Sequence, residues 1–85
     1  MLTRLQQLRC LDLDGTAITN AALTTVGRLI TLEELWLEGT AITDVGLTRL
    51  TTLANLRFIS LEYCESVSDA AIAALRSSLP LLQVH

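Results

Sequence analysis

The chain has 85 residues, a formal net charge of −3 and a hydrophobic content of 51%, with only 4% aromatic residues. A chain of this length forms one domain with a modest core, which must be aliphatic because aromatic residues are so few. The acidic balance argues against nucleic acid as a partner, and no apolar run approaches the roughly 20 residues that span a bilayer.

The two cysteines, Cys10 and Cys64, are too few for a disulfide framework or a metal-ligand cluster. The first seven residues lack the apolar core of a signal peptide. Since proteins without an export signal keep their thiols reduced, we predict an intracellular, cytoplasmic location.

An apolar pattern starts near the amino terminus and returns every 24 residues. A period of this length is typical of stacked-repeat proteins. In a third copy, one extra residue near Ser66 shifts the end of the pattern. The three copies are Leu8, Leu11, Leu13, Thr16, Ile18 and Thr19; Leu32, Leu35, Leu37, Thr40, Ile42 and Thr43; and Leu56, Ile59, Leu61, Cys64, Val67 and Ser68.

Each copy changes its apolar period in the middle. The first half alternates apolar and polar residues, which predicts a strand, and the second half spaces apolar residues three and four apart, which predicts a helix. We expect helices at about 20–27, 44–51 and 69–78. Thr19, Thr43 and Ser68 are the predicted N-caps, each accepting a hydrogen bond from the first helical turn. Asp44 and Asp69 follow their caps and favour the positive end of the helix dipole.

The pattern resembles the leucine-rich repeat. The third copy looks like the cysteine-containing subclass, in which a Cys, here Cys64, closes the strand turn and an Ile-Thr-Asp-like cap, here Val67-Ser68-Asp69, opens the helix. That subclass is familiar from F-box substrate receptors of ubiquitin ligases. The first two copies, with Thr16 and Thr40 in the cysteine column, also look like bacterial and protist leucine-rich repeat proteins.

The resemblance implies an α/β fold. It would be a right-handed solenoid of three repeats of about 24 to 26 residues, with a parallel sheet on the concave face and helices on the convex face. We expect one domain over 1–85, with repeats at about 5–28, 29–52 and 53–78 and a partial fourth repeat or cap at 79–85. The side of the first repeat, including Leu5, Leu8, Leu11 and Leu13, would be uncovered, as in a piece of a longer array or a chain that buries its end against another protein.

The concave face of such a sheet would carry one aromatic and acidic surface. The predicted partner-binding residues are Asp12, Asp14, Glu34, Trp36, Glu38, Phe58, Ser60 and Glu62. An aromatic anchor among carboxylates suits a protein partner with a basic or mixed basic-apolar surface. In the alternative interpretation, the acids only keep an exposed sheet soluble and Trp36 packs over neighbouring aliphatic stems.

The residue inventory predicts no catalysis, no cofactor and no metal. The only histidine, His85, is the last residue and is expected to fray, so no nucleophile has a base beside it. The four glycines form no phosphate-binding loop. Carboxylates on an open sheet have no water-excluding pocket for acid–base chemistry.

Three functions therefore compete. The first is a non-catalytic protein-interaction module that uses the concave face. The second is a structural subunit of a large assembly, including a homo-oligomer, held through its open repeat ends. The third, which rests on the resemblance alone, is the substrate-recognition part of a ubiquitin-ligase adaptor of the SCF type.

Overall fold

Strands and helices alternate along the chain, and each helix follows the strand of its own unit. The computed structural model describes residues 7–85, so the predicted first-repeat boundary at residue 5, and Leu5 itself, lie outside it. In chain order the elements are β1 (Cys10–Asp12), α1 (Asn20–Val26), β2 (Glu34–Trp36), α2 (Asp44–Leu47) with a 3-10 turn (Thr48–Leu50), β3 (Phe58–Ser60), α3 (Asp69–Ser78) and β4 (Gln83–Val84).

The strands form one parallel sheet in the order β1-β2-β3-β4. Leu11 lies opposite Leu35, Leu35 opposite Ile59, and Ile59 opposite Val84. The first two pairings thus keep the 24-residue spacing of the sequence pattern. The predicted α/β class with a parallel sheet is confirmed.

One face of the sheet packs with the helices in an aliphatic core. Leu35, Leu37 and Ile59 are fully buried in it, together with Leu23 and Leu47 of the helices. Leu11 and Leu13, on the edge strand β1 and just after it, are only partly buried against the same core. The inward strand residues of the second and third units therefore have neighbours on both sides, whereas Leu11 and Leu13 of the first unit lie at the margin of the core.

The helices begin where the sequence predicts, but the predicted caps are only partly correct. The Ser68 hydroxyl accepts a hydrogen bond from the Ala71 N–H at 3.1 Å. The side chains of Thr19 and Thr43 accept none from their own helices. The Thr43 hydroxyl instead accepts a hydrogen bond from the Asn20 side-chain amide at 2.7 Å.

A polar contact, here called the clasp, joins the first residue of each helix to the cap residue of the next. The Asn20 amide oxygen accepts the Thr43 N–H at 2.9 Å, besides the amide's bond to the Thr43 hydroxyl. The Asp44 carboxylate accepts both the Ser68 N–H and the Ser68 hydroxyl at 2.7 Å. Gly46 leaves room for the first clasp, because a Cβ there would clash with the Asn20 amide oxygen.

The turn after each strand needs a left-handed backbone. Gly15 and Gly39 have φ of +68° and +67°, and Tyr63, in the same column, has φ of +63°. Backbone hydrogen bonds join each turn to the turn of the next unit. The Gly15 N–H donates to Glu38 O at 2.8 Å, and the Gly39 N–H donates to Glu62 O at 2.9 Å. Tyr63 adopts a conformation that ordinary side chains disfavour.

The small polar residues that close these turns differ in whether they bond the adjacent unit. Cys64 does so, because its thiol donates to Leu37 O at 3.0 Å across the repeat. Thr16 and Thr40 donate to carbonyls of their own units, those of Leu13 and Leu37. The Thr40 hydroxyl also lies 3.6 Å from the Cys64 thiol of the next unit, within hydrogen-bonding distance. Within residues 7–85, none of the helices has the length and apolar character needed to cross a membrane.

Replacing Gly39 by Ala tests the cost of the left-handed turn. The new Cβ would meet no atom within 4 Å, so the penalty is conformational alone, and we expect a loss of about 1–2 kcal/mol in unfolding free energy. Urea denaturation measures it. Ala41→Ser, at an exposed neighbour, is the control and should change stability little; equal losses in the two variants would contradict the turn argument.

The clasp between Asp44 and Ser68 makes the folding stability depend on pH in the acid range. The Ser68 N–H, and then its hydroxyl, hold the pKa of the Asp44 carboxyl below its ordinary value of 3.8. The stabilisation is therefore complete above that value and is lost as the pH falls through the lower folded pKa.

Asp44→Asn should remove this part of the acid dependence while keeping the clasp, because Asn20 makes the same bridge in the first unit. Urea midpoints measured from about pH 5 to about pH 2.5 compare the variant with the unsubstituted chain. Asp69→Asn is the matched control, because it removes a carboxyl that lies at the start of a helix but forms no clasp within residues 7–85. If the urea midpoints of Asp44→Asn and of the unsubstituted chain changed identically with pH, the clasp would not be a source of the pH dependence.

Candidate functional site

The sheet face opposite the core is the candidate site. Successive strand residues point to opposite faces, so the residues beside the buried Leu11, Leu35 and Ile59 lie together on this second face. We call it the outer sheet face. Its strand residues are Cys10, Asp12, Glu34, Trp36, Phe58, Ser60 and Gln83.

Three rings form a row across the outer sheet face. The ring centroids of Trp36 and Phe58 lie 4.7 Å apart with their planes at 45°, and those of Phe58 and His85 lie 4.9 Å apart at 42°. These separations lie in the range of favourable aromatic pairs. Trp36 and Phe58 are half-buried and His85 is exposed, so the row is ordered by mutual packing and still reaches solvent.

His85 belongs to the sheet, so the expectation that it frays is wrong. Its N–H donates to Ile59 O at 2.9 Å, and a His85 oxygen accepts the Leu61 N–H at 2.7 Å. The histidine therefore continues the β4 ladder beside Ser60. The signal was present in the sequence, because placing Val84 in the column of Leu35 and Ile59 puts His85 in the column of Trp36.

Ser60 does not lie at the surface, contrary to the predicted partner-binding role. It is only 2% exposed, and it sits between Trp36 on one side and His85 on the other. A side chain as short as serine, placed between two rings that both lean on Phe58, is shielded by them. Ser60 leaves space for the ring row and cannot itself contact a partner.

A shallow depression of about 410 Å³ adjoins the ring row. Trp36 and Phe58 line it, and Glu34 supplies a carboxylate that the sequence predicted for this face. Sequence reasoning missed the other lining residues as site members. They are Glu33, Arg57, Leu81 and Gln83.

The charges near the depression are of both signs. Arg9 forms an ion pair with Glu33 at 2.8 Å, whereas the structure shows no ion pair for Arg57 among residues 7–85. The exposed Arg9–Glu33 pair adds little to stability. Arg57 thus offers a positive group at the edge of an otherwise acidic surface.

The column of Asp14, Glu38 and Glu62 follows the strand ends. Partial removal from water, followed by the charge and hydrogen bonds of Asp14 and then those of Glu62, raises the pKa of Glu38 above its ordinary value of 4.5. Like charges this close oppose ionisation of the central carboxyl. The charges of Asp14 and Glu62 thus add to desolvation in disfavouring the ionised form of Glu38.

Two of the predicted partner-binding acids also accept hydrogen bonds within the protein. The Asp14 carboxylate accepts the Glu38 N–H at 2.8 Å, and the Asp12 carboxylate accepts the Asp14 N–H at 3.0 Å. These bonds satisfy backbone donors at the strand ends. Asp12, Glu34 and Glu62 are exposed, while Asp14 and Glu38 are half-buried, so the exposed three are the acids best placed for a partner.

The part of the chain that the structure covers holds no group of three His, Cys, Asp or Glu side chains arranged for a metal ion. What the outer sheet face offers is contact area, namely an aromatic row, a shallow depression and carboxylates around them.

In comparisons with known proteins, no protein-family model matches the sequence, and no curated protein matches it either.

Glu38→Gln should stabilise the protein at neutral pH. Because the folded pKa of Glu38 is raised, its protonated form favours folding below pH 4.5, and this contribution is lost as the pH rises through the folded pKa. The variant should therefore gain in urea midpoint at about pH 7 and converge with the unsubstituted chain near about pH 4. Glu65→Gln, at an exposed acid outside the column, is the control. A destabilised Glu38→Gln protein at neutral pH would show that ionised Glu38 is not repelled by its neighbours.

Proposed function

We propose that this chain is a non-catalytic protein-interaction module of the leucine-rich repeat type, with the outer sheet face as the concave binding surface. The repeat assignment draws support from the strand pairings at 24-residue spacing and from the clasps that join successive units. The handedness and the three-repeat solenoid form belong to the proposal. An intracellular location, as the sequence predicts, also belongs to it.

The observation that carries the binding proposal is the row of Trp36, Phe58 and His85. The rings pack on one another at 4.7 and 4.9 Å, so little conformational entropy is left to lose when a partner covers them. Aromatic groups that are ordered before binding and still reach solvent are the usual anchors of protein interfaces.

The charges around the row indicate the chemistry of the partner. Asp12, Glu34 and Glu62 are exposed and would face basic side chains. A guanidinium or ammonium group could also lie over the ring of Trp36, where cation–π attraction adds to the carboxylate charge. Arg57 at the edge of the depression makes the surface mixed, so the partner is a basic and apolar segment with room for one acidic group.

The alternative functions differ in what they require. A structural subunit held through its repeat ends would be indifferent to substitutions on the outer sheet face. A ubiquitin-ligase adaptor would use the same face for a substrate, so it is a special case of the binding proposal. Mutating the outer sheet face therefore distinguishes the binding proposal from the structural-subunit alternative, but not from the ubiquitin-ligase adaptor.

Trp36, the sole tryptophan, reports binding directly through its fluorescence. We expect a pool of short peptides that mix Arg or Lys with Leu or Phe to change Trp36 emission saturably. A matched pool with Asp or Glu in place of the basic residues should not. Added salt should weaken the response, because exposed charges are screened within about 10 Å at 0.1 M.

Charge reversal provides the variants. Asp12→Lys with Glu34→Lys should lower affinity for the basic pool by about tenfold or more, which corresponds to roughly 1.4 kcal/mol or more from the two interface charges together. Glu65→Lys, at an exposed acid outside this face, should change it little. The double variant Trp36→Ala, Glu38→Arg, followed by peptide fluorescence polarisation, should abolish binding. Equal responses to both pools, or unchanged affinity in the charge-reversed variant, would defeat the proposal.

A further inference from the structure

The fourth unit is one residue shorter than the third where it enters the sheet. In the third unit, Arg57 separates the buried Leu56 from Phe58. In the fourth unit, the buried Leu82 is followed directly by Gln83, which pairs with Phe58. The Gln83 N–H donates to Arg57 O at 2.9 Å, so these two residues are neighbours across β3 and β4. Both line the depression of the outer sheet face.

Arg57 and Gln83 bring two hydrogen-bond donors to the depression. The exposed Arg57 guanidinium forms no ion pair with any residue in 7–85. Its backbone N–H donates to Glu33 O at 2.8 Å, but the Glu33 carboxylate is already paired with Arg9 at 2.8 Å. The exposed Gln83 side-chain amide makes no hydrogen bond within the described part of the chain. A guanidinium beside an amide NH₂ group suits a carboxylate.

The same depression has an apolar wall. Trp36 and Phe58 pack together in it with their ring centroids 4.7 Å apart. Leu81 also lines it and is 68% exposed. An occupant that covers this apolar surface while it reaches Arg57 needs an apolar group and a carboxylate close together.

We infer that the depression binds the C-terminal residue of the partner chain, an apolar residue with a free carboxylate. This inference rests on the proposed function, since it specifies how the outer sheet face holds its partner. The Arg57 guanidinium and the Gln83 amide donate to the terminal carboxylate, and the last side chain packs on Phe58 and Leu81. An internal Asp or Glu of a partner would bring a carboxylate but would leave Leu81 uncovered.

Glu34 sets the position of a basic residue in the same partner. It is exposed and lines the β2 side of the depression. From β2 across β3 to β4 the distance is about 10 Å, which an extended peptide spans with about three residues. A basic residue about three positions before the apolar C-terminal residue therefore matches both charges.

Acetylated peptides of the sequence Arg-Gly-Ser-Leu test the inference, with the last residue either a free acid or an amide. Titrated into the 85-residue protein and followed by Trp36 fluorescence, the acid should bind about tenfold more tightly, because the amide loses a hydrogen-bonded charge. This preference runs against the net charge of −3, which by itself favours the more positive amide. The peptide Arg-Gly-Ser-Glu amide, whose carboxylate is on a side chain, should bind no better than the leucine amide.

Protein variants assign the two parts of the contact. Arg57→Gln should lower affinity for the leucine acid about tenfold and should not weaken binding of the amide. Arg49→Gln, at an exposed arginine outside the depression, is the matched control. Leu81→Ser should weaken binding of the leucine acid about threefold but not that of an acid ending in glycine. Circular dichroism verifies that each variant keeps its helix content.

Several results would overturn the inference and leave the proposed function in place. They are equal affinities for acid and amide, equal weakening of both peptides by Arg57→Gln, and unchanged affinity of Leu81→Ser for the leucine acid. A glutamate amide that binds as tightly as the leucine acid would overturn it too, by identifying a side chain as the source of the carboxylate. A protein that responds to the basic peptide pool but not to the leucine acid would also overturn the inference alone, whereas no response to either would overturn the proposed function as well.

Discussion

This structure depends on one constraint: aliphatic side chains 24 residues apart are buried side by side in neighbouring strands. Leu35 lies between Leu11 and Ile59 in the sheet and is fully buried. A slip of one residue would turn these side chains to the solvent face and bring carboxylates into the core. The same register sets which residues share a column on the outer sheet face, which turns stack, and which helix start meets which cap.

Polar side chains join the units where the apolar core cannot. The clasps connect helix starts, the Cys64 thiol bonds Leu37 O, and the Thr31 hydroxyl donates to Leu8 O at 2.6 Å. The contacts of Asn20, Thr31 and Cys64 are buried or partly buried, where an unpaired polar group is costly. The contact between Asp44 and Ser68 is exposed. Together, these contacts fix the offset between neighbouring units.

The outer sheet face shows how the same register creates a site. Ser60 is the small residue between Trp36 and His85 in a column that begins with Asp12, and the two rings pack on Phe58 from either side. A larger residue at that position would compete with the rings for space. The acids around the row are not equivalent. The Asp12 and Asp14 carboxylates accept backbone N–H groups at the strand ends, and only Asp12, Glu34 and Glu62 are exposed.

The sequence by itself determined the repeat period, the strand and helix positions, the inward leucines and the grouping of Trp36 with Phe58, because these follow from local periodicity carried across identical units. It did not reveal that Ser60 is buried, that His85 is ordered, or that Asn20 and Asp44 reach the next unit rather than acting only on their own helices. Those outcomes were decided by the tertiary structure, since each depends on the size and hydrogen-bonding capacity of a side chain about 24 residues away, which only stacking of the units brings into contact.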